Sequence, residues 1–213
     1  MMTWTVELKD GKKEIVTDEE LFHFRDMYVS NDDLKLRMSR LFLFDLYIMD
    51  FEFGISPQEI LDSVIELENG EQPEGVKPAT PFRNPPLKGL WHKHFFAARF
   101  LVDNLILSLG RNRLSEIFES AMHPDKGDIV TKEMINEIAK RITHETLEKR
   151  NADNKLTGEW IIFLPHGGNN YYLSIAAHHF GDQNIFDRII KETTRDFPQI
   201  AQWVNQAAMS QNY

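Results

Sequence analysis

The residues best suited to chemistry in this chain are its histidines, and seven of the eight follow residue 87. Histidine transfers protons near neutral pH. Two imidazoles together can cleave a phosphodiester or ester bond, one taking a proton and the other giving one. The seven are His92, His94, His123, His144, His166, His178 and His179. Their concentration in one part of the chain predicts an acid–base site there.

Three of these histidines have neighbours that suit catalysis, and we expect His92, His144 and His178 to carry the reaction. On a helix, His92 would share a stripe with Arg99, and His144 would share one with Arg141. An arginine beside a histidine can stabilise the anion that develops in the transition state. His178 precedes a predicted helix start, where free backbone N–H groups favour anions.

Substrate binding is expected from Trp91, His94 and Tyr172. Strand alternation places Tyr172 on the same side as His178, so its ring would line the same pocket. The function that these residues favour is a small cofactor-free hydrolase or phosphodiesterase, of the ribonuclease-like toxin type. RNA enters this hypothesis as a substrate and not as a partner.

The same residues also fit purely structural roles. His94 suits a buried core position, His144 a surface stripe of alternating charge, and His178 a solvated strand end. A metal site is a further alternative, because His-x-His spacing on an extended segment turns both side chains to one side. Carboxylates within an apolar stretch would add ligands to such a site: Asp45, Asp50 and Glu52. No compact metal motif supports it, and no metal is predicted.

Composition excludes several classes of site. The chain has no cysteine, which excludes disulfides, thiolate nucleophiles, Cys-ligated zinc and iron–sulfur clusters. It also lacks a phosphate-binding GxxxxGK[ST] loop, a GxGxxG turn, an HExxH motif, an EF-hand loop and a GxSxG elbow. Nucleotide-dependent enzymes of the common types, calcium sensors and zinc proteases are therefore not expected, and no cofactor is predicted.

Charge is unevenly distributed along the chain. Residues 1–86 carry 9 basic and 18 acidic side chains, whereas the remaining residues carry 15 of each, so the whole net charge of −9 is N-terminal. An acidic surface repels DNA and anionic membranes and attracts basic proteins. The alternative function is therefore a non-catalytic acidic module that docks a basic partner, as an immunity protein does with a nuclease toxin.

Hydrophobic periodicity predicts an α+β fold that is predominantly helical, with about eight helices and two short β-hairpins. One hairpin is expected around Asp10–Gly11 and the second over residues 158–177. Thr17 and Glu20 form a capping-box pattern before the first helix. One continuous helix is expected from Leu34 to near Gly54, and another, apolar nearly all round, from Leu90 to Leu109.

Proline content marks one boundary. Residues 71–86 hold five prolines and no periodicity, so they are predicted to be a linker or a draped loop. This segment separates an acidic part, residues 1–70, from a neutral, histidine-rich part, residues 87–213. The sequence is compatible with the two parts packing into one compact unit. No apolar run reaches the roughly 20 residues of a membrane span, and no signal-peptide pattern opens the chain, so a soluble, cytoplasmic protein is expected.

Overall fold

A computed structural model describes residues 3–7, 11, 13–72, 78–95, 116, 119–120, 159–177 and 180–211. By its contacts the chain divides into two compact units, Met1–Ala97 with Gly158–Tyr213, and Ala98–Thr157. All elements named below belong to the first unit. The division into an acidic and a neutral domain stays a prediction.

The described elements follow one another as strands, helices, strands and helices. They are β1 (Thr3–Glu7), β2 (Lys13–Thr17), α1 (Asp18–Tyr28), α2 (Asp32–Leu36), α3 (Arg40–Phe53), α4 (Pro57–Asn69), β3 (Thr80–Pro81), β4 (Trp91–His94), β5 (Trp160–His166), β6 (Asn169–Ala176), α5 (Asp182–Thr193) and α6 (Ile200–Ser210). Strands β1 and β2 form an antiparallel pair, and β3-β4-β5-β6 form a four-stranded antiparallel sheet. Over the described ranges, no helix is long and apolar enough to cross a membrane.

The α+β class is confirmed, but the expected count of about eight helices and two hairpins is wrong. The described part of the chain has six helices and six strands in two antiparallel sheets. The difference arises in the sheet, because Thr80–Pro81 and Trp91–His94 extend the second hairpin to four strands. The sequence pattern predicts a loop for the first of these segments and the start of a helix for the second. A short apolar run fits a buried strand and a buried helix equally well.

The helix expected from Leu34 to near Gly54 is in fact two helices, α2 and α3, interrupted at residues 37–39. At the break, the chain pairs with strand β6: the Ser39 N–H donates to the Tyr172 carbonyl at 2.9 Å, and the Tyr172 N–H donates to the Arg37 carbonyl at 2.8 Å. Ser39 then caps α3, because its hydroxyl accepts the Phe42 N–H at 3.0 Å. The edge of the sheet therefore decides where the helix breaks.

Local signals at the first helix are confirmed. The Glu20 N–H donates to the Thr17 hydroxyl at 3.2 Å, and the Thr17 N–H donates to the Glu20 carboxylate at 2.7 Å, which is the reciprocal capping box. Strands β1 and β2 pair antiparallel, which confirms the predicted hairpin, with Thr3 opposite Thr17.

Helices cover both faces of the four-stranded sheet. Helices α5 and α6 pack on one face, where Ile189 and Val204 join strand residues such as Ile162 in a common core. Helices α3 and α4 approach the other face. Gly89, which precedes β4 with φ +100°, leaves room for α6, because a Cβ there would clash with the Val204 carbonyl oxygen.

Candidate functional site

Strand β4 brings two of the predicted site residues together. Because side chains alternate along a strand, His92 and His94 lie on the same side of β4, and their ring centroids are 5.4 Å apart. Both rings contact Trp160 on the neighbouring strand β5, at 5.2 Å for His92 and 6.3 Å for His94. Phe82 packs on the His92 ring at 4.4 Å.

A hydroxyl group lies beside this pair. Thr80 is directly opposite His92 in the β3–β4 ladder, and the Thr80 Oγ1 is 3.3 Å from the His92 Nε2. Thr80 is exposed, whereas His92 and His94 are half-buried. We call the five residues Thr80, Phe82, His92, His94 and Trp160 the histidine cluster. The histidine cluster contains two imidazoles and one hydroxyl, and the Phe82 and Trp160 rings pack against the imidazoles.

The intervening residue fixes which side of β4 faces the cluster. Lys93 points to the opposite face and is 3% exposed, and its ammonium lies 2.9 Å from the Glu66 carboxylate on α4. A buried ammonium is costly without a carboxylate partner. A one-residue shift in the register of β4 would turn Lys93 to the other face of the sheet and break its contact with Glu66. The Lys93–Glu66 contact therefore helps to hold His92 and His94 on their side.

Trp91 and Tyr172, expected to bind substrate, do not join the cluster. Trp91 is turned away from the histidines and packs on Phe163, with ring centroids 6.3 Å apart. Tyr172 pairs with Phe163 and is fully buried. Its hydroxyl donates to the Glu68 carboxylate at 2.7 Å. Burial, together with this hydrogen bond, raises the pKa of Tyr172.

The other predicted catalytic residues lie outside the described residues. They are Arg99, Arg141, His144 and His178. Their roles stay predictions. For the metal alternative, the described part of the chain contains no group of three His, Asp or Glu side chains that could hold an ion. Among those residues, the extended His-x-His segment brings two possible ligands together.

One titratable residue beside the cluster in sequence had not been singled out. Glu159 immediately precedes β5, and burial raises the pKa of its carboxyl to about 7. Its Oε2 is buried and has no hydrogen-bond partner among the described residues. A lone glutamate before a strand gives no sequence signal for such a pKa, because the shift comes from how the fold encloses it.

Comparisons with protein-family models, with curated proteins and with solved structures found no match to this chain. The proposals below therefore rest on the chemistry of its own side chains.

Proposed function

We propose that this protein is a small cofactor-free hydrolase, with His92 and His94 as its acid–base pair and a phosphodiester of the RNA type as its substrate class. One observation carries the proposal: two half-buried imidazoles lie 5.4 Å apart, ring centroid to ring centroid, on one side of one strand. At this separation both rings can reach the same phosphoryl group from their shared side of the strand.

The chemistry follows from the two rings. Neutral His92 accepts the proton of the attacking 2′-hydroxyl as that oxygen forms a bond to phosphorus. Protonated His94 gives its proton to the 5′-oxygen as the bond from phosphorus to that oxygen breaks. Two imidazoles, one neutral and one charged, are needed at once, so the rate should follow a bell-shaped pH profile.

The aromatic neighbours support this assignment by limiting ring motion. Phe82 and Trp160 contact the His92 ring, and Trp160 also contacts His94. A ring that is already oriented loses less entropy when the substrate arrives. The Thr80 hydroxyl lies 3.3 Å from the His92 Nε2 and can fix the orientation of that ring, so we assign it a positioning role.

The experiment is a cleavage assay on a fluorescent oligoribonucleotide, with the matching deoxyribonucleotide and a chelator included. His92→Gln and His94→Gln should each lower the rate about 100-fold or more, with an unchanged melting temperature. His166→Gln is the matched control, because His166 also lies in this sheet but stacks on Trp203 with ring centroids 4.2 Å apart. Absence of turnover by the wild type, or full activity in His92→Gln, would remove the hydrolase proposal.

The alternative of an acidic docking module stays a prediction. Three acids of residues 1–86 make local contacts within the chain. Glu20 accepts the Thr17 N–H, Asp32 lies 3.0 Å from the Lys35 ammonium, and Asp33 lies 3.0 Å from the Arg37 guanidinium. These contacts leave the excess of acidic over basic side chains in residues 1–86 unchanged, because that count already includes the basic partners.

A further inference from the structure

A pocket of about 440 Å³ opens between α3, β6 and α5, at the opposite end of the sheet order from the histidine cluster. Its wall is mainly apolar. Among the described residues, the wall includes Phe44, Ile48, Met49, Phe53, Phe180 and Ile185. Pockets of this size and character commonly enclose small molecules.

A buried carboxylate, that of Asp45, also lines the pocket. Asp45, 7% exposed, accepts three hydrogen bonds: from the Ser174 hydroxyl at 2.6 Å, from the Ile175 N–H at 2.9 Å, and from the Arg188 guanidinium at 2.5 Å. Both carboxylate oxygens are therefore occupied by groups of the protein. A buried carboxylate that is satisfied in this way orients its partners and has little capacity left for a ligand.

Arg188 presents the opposite chemistry. Its side chain is 38% exposed and lines the pocket, and among the described residues one nitrogen of the guanidinium is engaged, by Asp45. A guanidinium carries five N–H donors, so donors remain for a ligand. The Asp45 carboxylate beside it is buried, so the guanidinium is the more exposed of these two charged groups that line the pocket. A ligand entering here meets apolar walls and a cationic donor.

We infer that this pocket binds an amphipathic small molecule with an apolar body and an anionic headgroup, for which a medium-chain carboxylate is the simplest representative. The apolar walls take the body, and Arg188 takes the carboxylate by charge-assisted hydrogen bonds. This inference does not rest on the hydrolase proposal, because no residue of the histidine cluster lines the pocket.

The first experiment compares three probes of one chain length by titration calorimetry, each kept below its micelle concentration or, for dodecanol, its solubility limit: dodecanoate, dodecanol and dodecyltrimethylammonium. Dodecanoate should bind the full-length protein most tightly, by about tenfold or more over the cation, with dodecanol between them. Equal binding of all three probes, or binding of none, would overturn the inference.

Variants locate the binding. Ile48→Trp should fill the pocket and abolish dodecanoate binding. Arg188→Gln should weaken dodecanoate about tenfold while changing dodecanol binding by less than about threefold. Arg83→Gln is the matched control, since Arg83 is exposed and lies outside the pocket lining, and it should bind as the wild type does.

Thermal unfolding of each variant separates lost binding from lost folding. If Arg188→Gln does not fold, because Asp45 loses a partner, the Ile48→Trp variant and the probe series decide the question. Undiminished dodecanoate binding in folded Ile48→Trp would overturn the assignment to this pocket. The His92→Gln variant should retain dodecanoate binding, which keeps this test separate from the cleavage assay.

Discussion

Two glutamates beside the same sheet, Glu68 and Glu159, have side-chain pKa values that are shifted in opposite directions. Burial acts to raise the pKa of Glu68, but hydrogen bonds from Arg37 and Tyr172 outweigh it and hold the pKa below its ordinary value. For the buried Oε2 of Glu159, the described residues supply no hydrogen-bond partner, and burial raises the pKa of this carboxyl to about 7.

The contrast teaches that partners, rather than depth, decide what a carboxyl does in this fold. Glu68 lies on α4 and connects this helix to two other parts of the fold. Its carboxylate accepts hydrogen bonds from Arg37 beside α2, and from Tyr172 and, at 3.2 Å, Asn170 on β6. Such a fixed carboxylate holds the structure together. Glu159 can exchange its proton near neutral pH, which is the property that acid–base chemistry requires.

The largest expected effect comes from removing the main partner of Glu68. Arg37→Met should destabilise the fold by about 3 kcal/mol, because it leaves the Glu68 side chain, 22% exposed, without its cation. Lys35→Met is the control, since its partners Asp32 and Asp26 are 91% and 48% exposed and these pairs should contribute less than about 1 kcal/mol. Chemical denaturation measures both, and equal losses would contradict the comparison.

Glu159→Gln should act in the opposite direction. The unfolded chain ionises this carboxyl near pH 4.5, whereas the folded chain retains the proton to about pH 7. The contribution to stability is therefore present below pH 4.5 and is lost as pH rises to about 7. We expect Glu159→Gln to stabilise the protein by about 1–2 kcal/mol at pH 8, a value reduced for solvent screening of a half-buried group, and to be neutral at about pH 4. Melting temperatures across this range test the sign, and a destabilised variant at pH 8 would contradict it.

Glu68→Gln should remove an acid-dependent loss of stability. Because the folded pKa of Glu68 lies below 4.5, its ionised form stabilises the fold above pH 4.5, and this contribution is lost as pH falls through the folded pKa. The wild type should therefore lose about 1 kcal/mol more than Glu68→Gln on acidification. Parallel pH-stability curves for the two proteins would refute the assignment.

The smallest expected change in stability is at the histidine cluster. Thr80→Val should alter unfolding free energy by no more than about 0.5 kcal/mol, because Thr80 is exposed and valine suits a strand. A loss of cleavage activity in this variant would then report positioning of the substrate and not folding. An activity equal to that of the wild type would remove Thr80 from the site.

Sequence reasoning succeeded where the interaction is local. The Thr17–Glu20 capping box spans three residues, and the two hairpins join strands that are adjacent in the chain. In each case the residues that make the contact are close enough to be read together.

It failed where the partner is distant. Residues 37–39 leave the helix because they pair with β6, and Trp91–His94 becomes a strand because it pairs with β5. Hydrophobic periodicity within a window of about 15 residues contains no information about either distant strand. The candidate sites divide in the same way. Residue type alone selected His92 and His94, but Asp45 and Arg188 are 143 residues apart, and only the fold brings them together.

The segment at residues 37–39 also bears on self-association. An uncovered edge strand is a template on which a second chain can add and continue the sheet. Here the Tyr172 N–H and carbonyl on β6 are already taken by residues 37–39, while the opposite edge strand, β3, has two residues and one of them is Pro81. A strand from another molecule would have to displace the chain between α2 and α3 before it could pair at Tyr172, so growth of a continuous sheet from this edge requires local unfolding first.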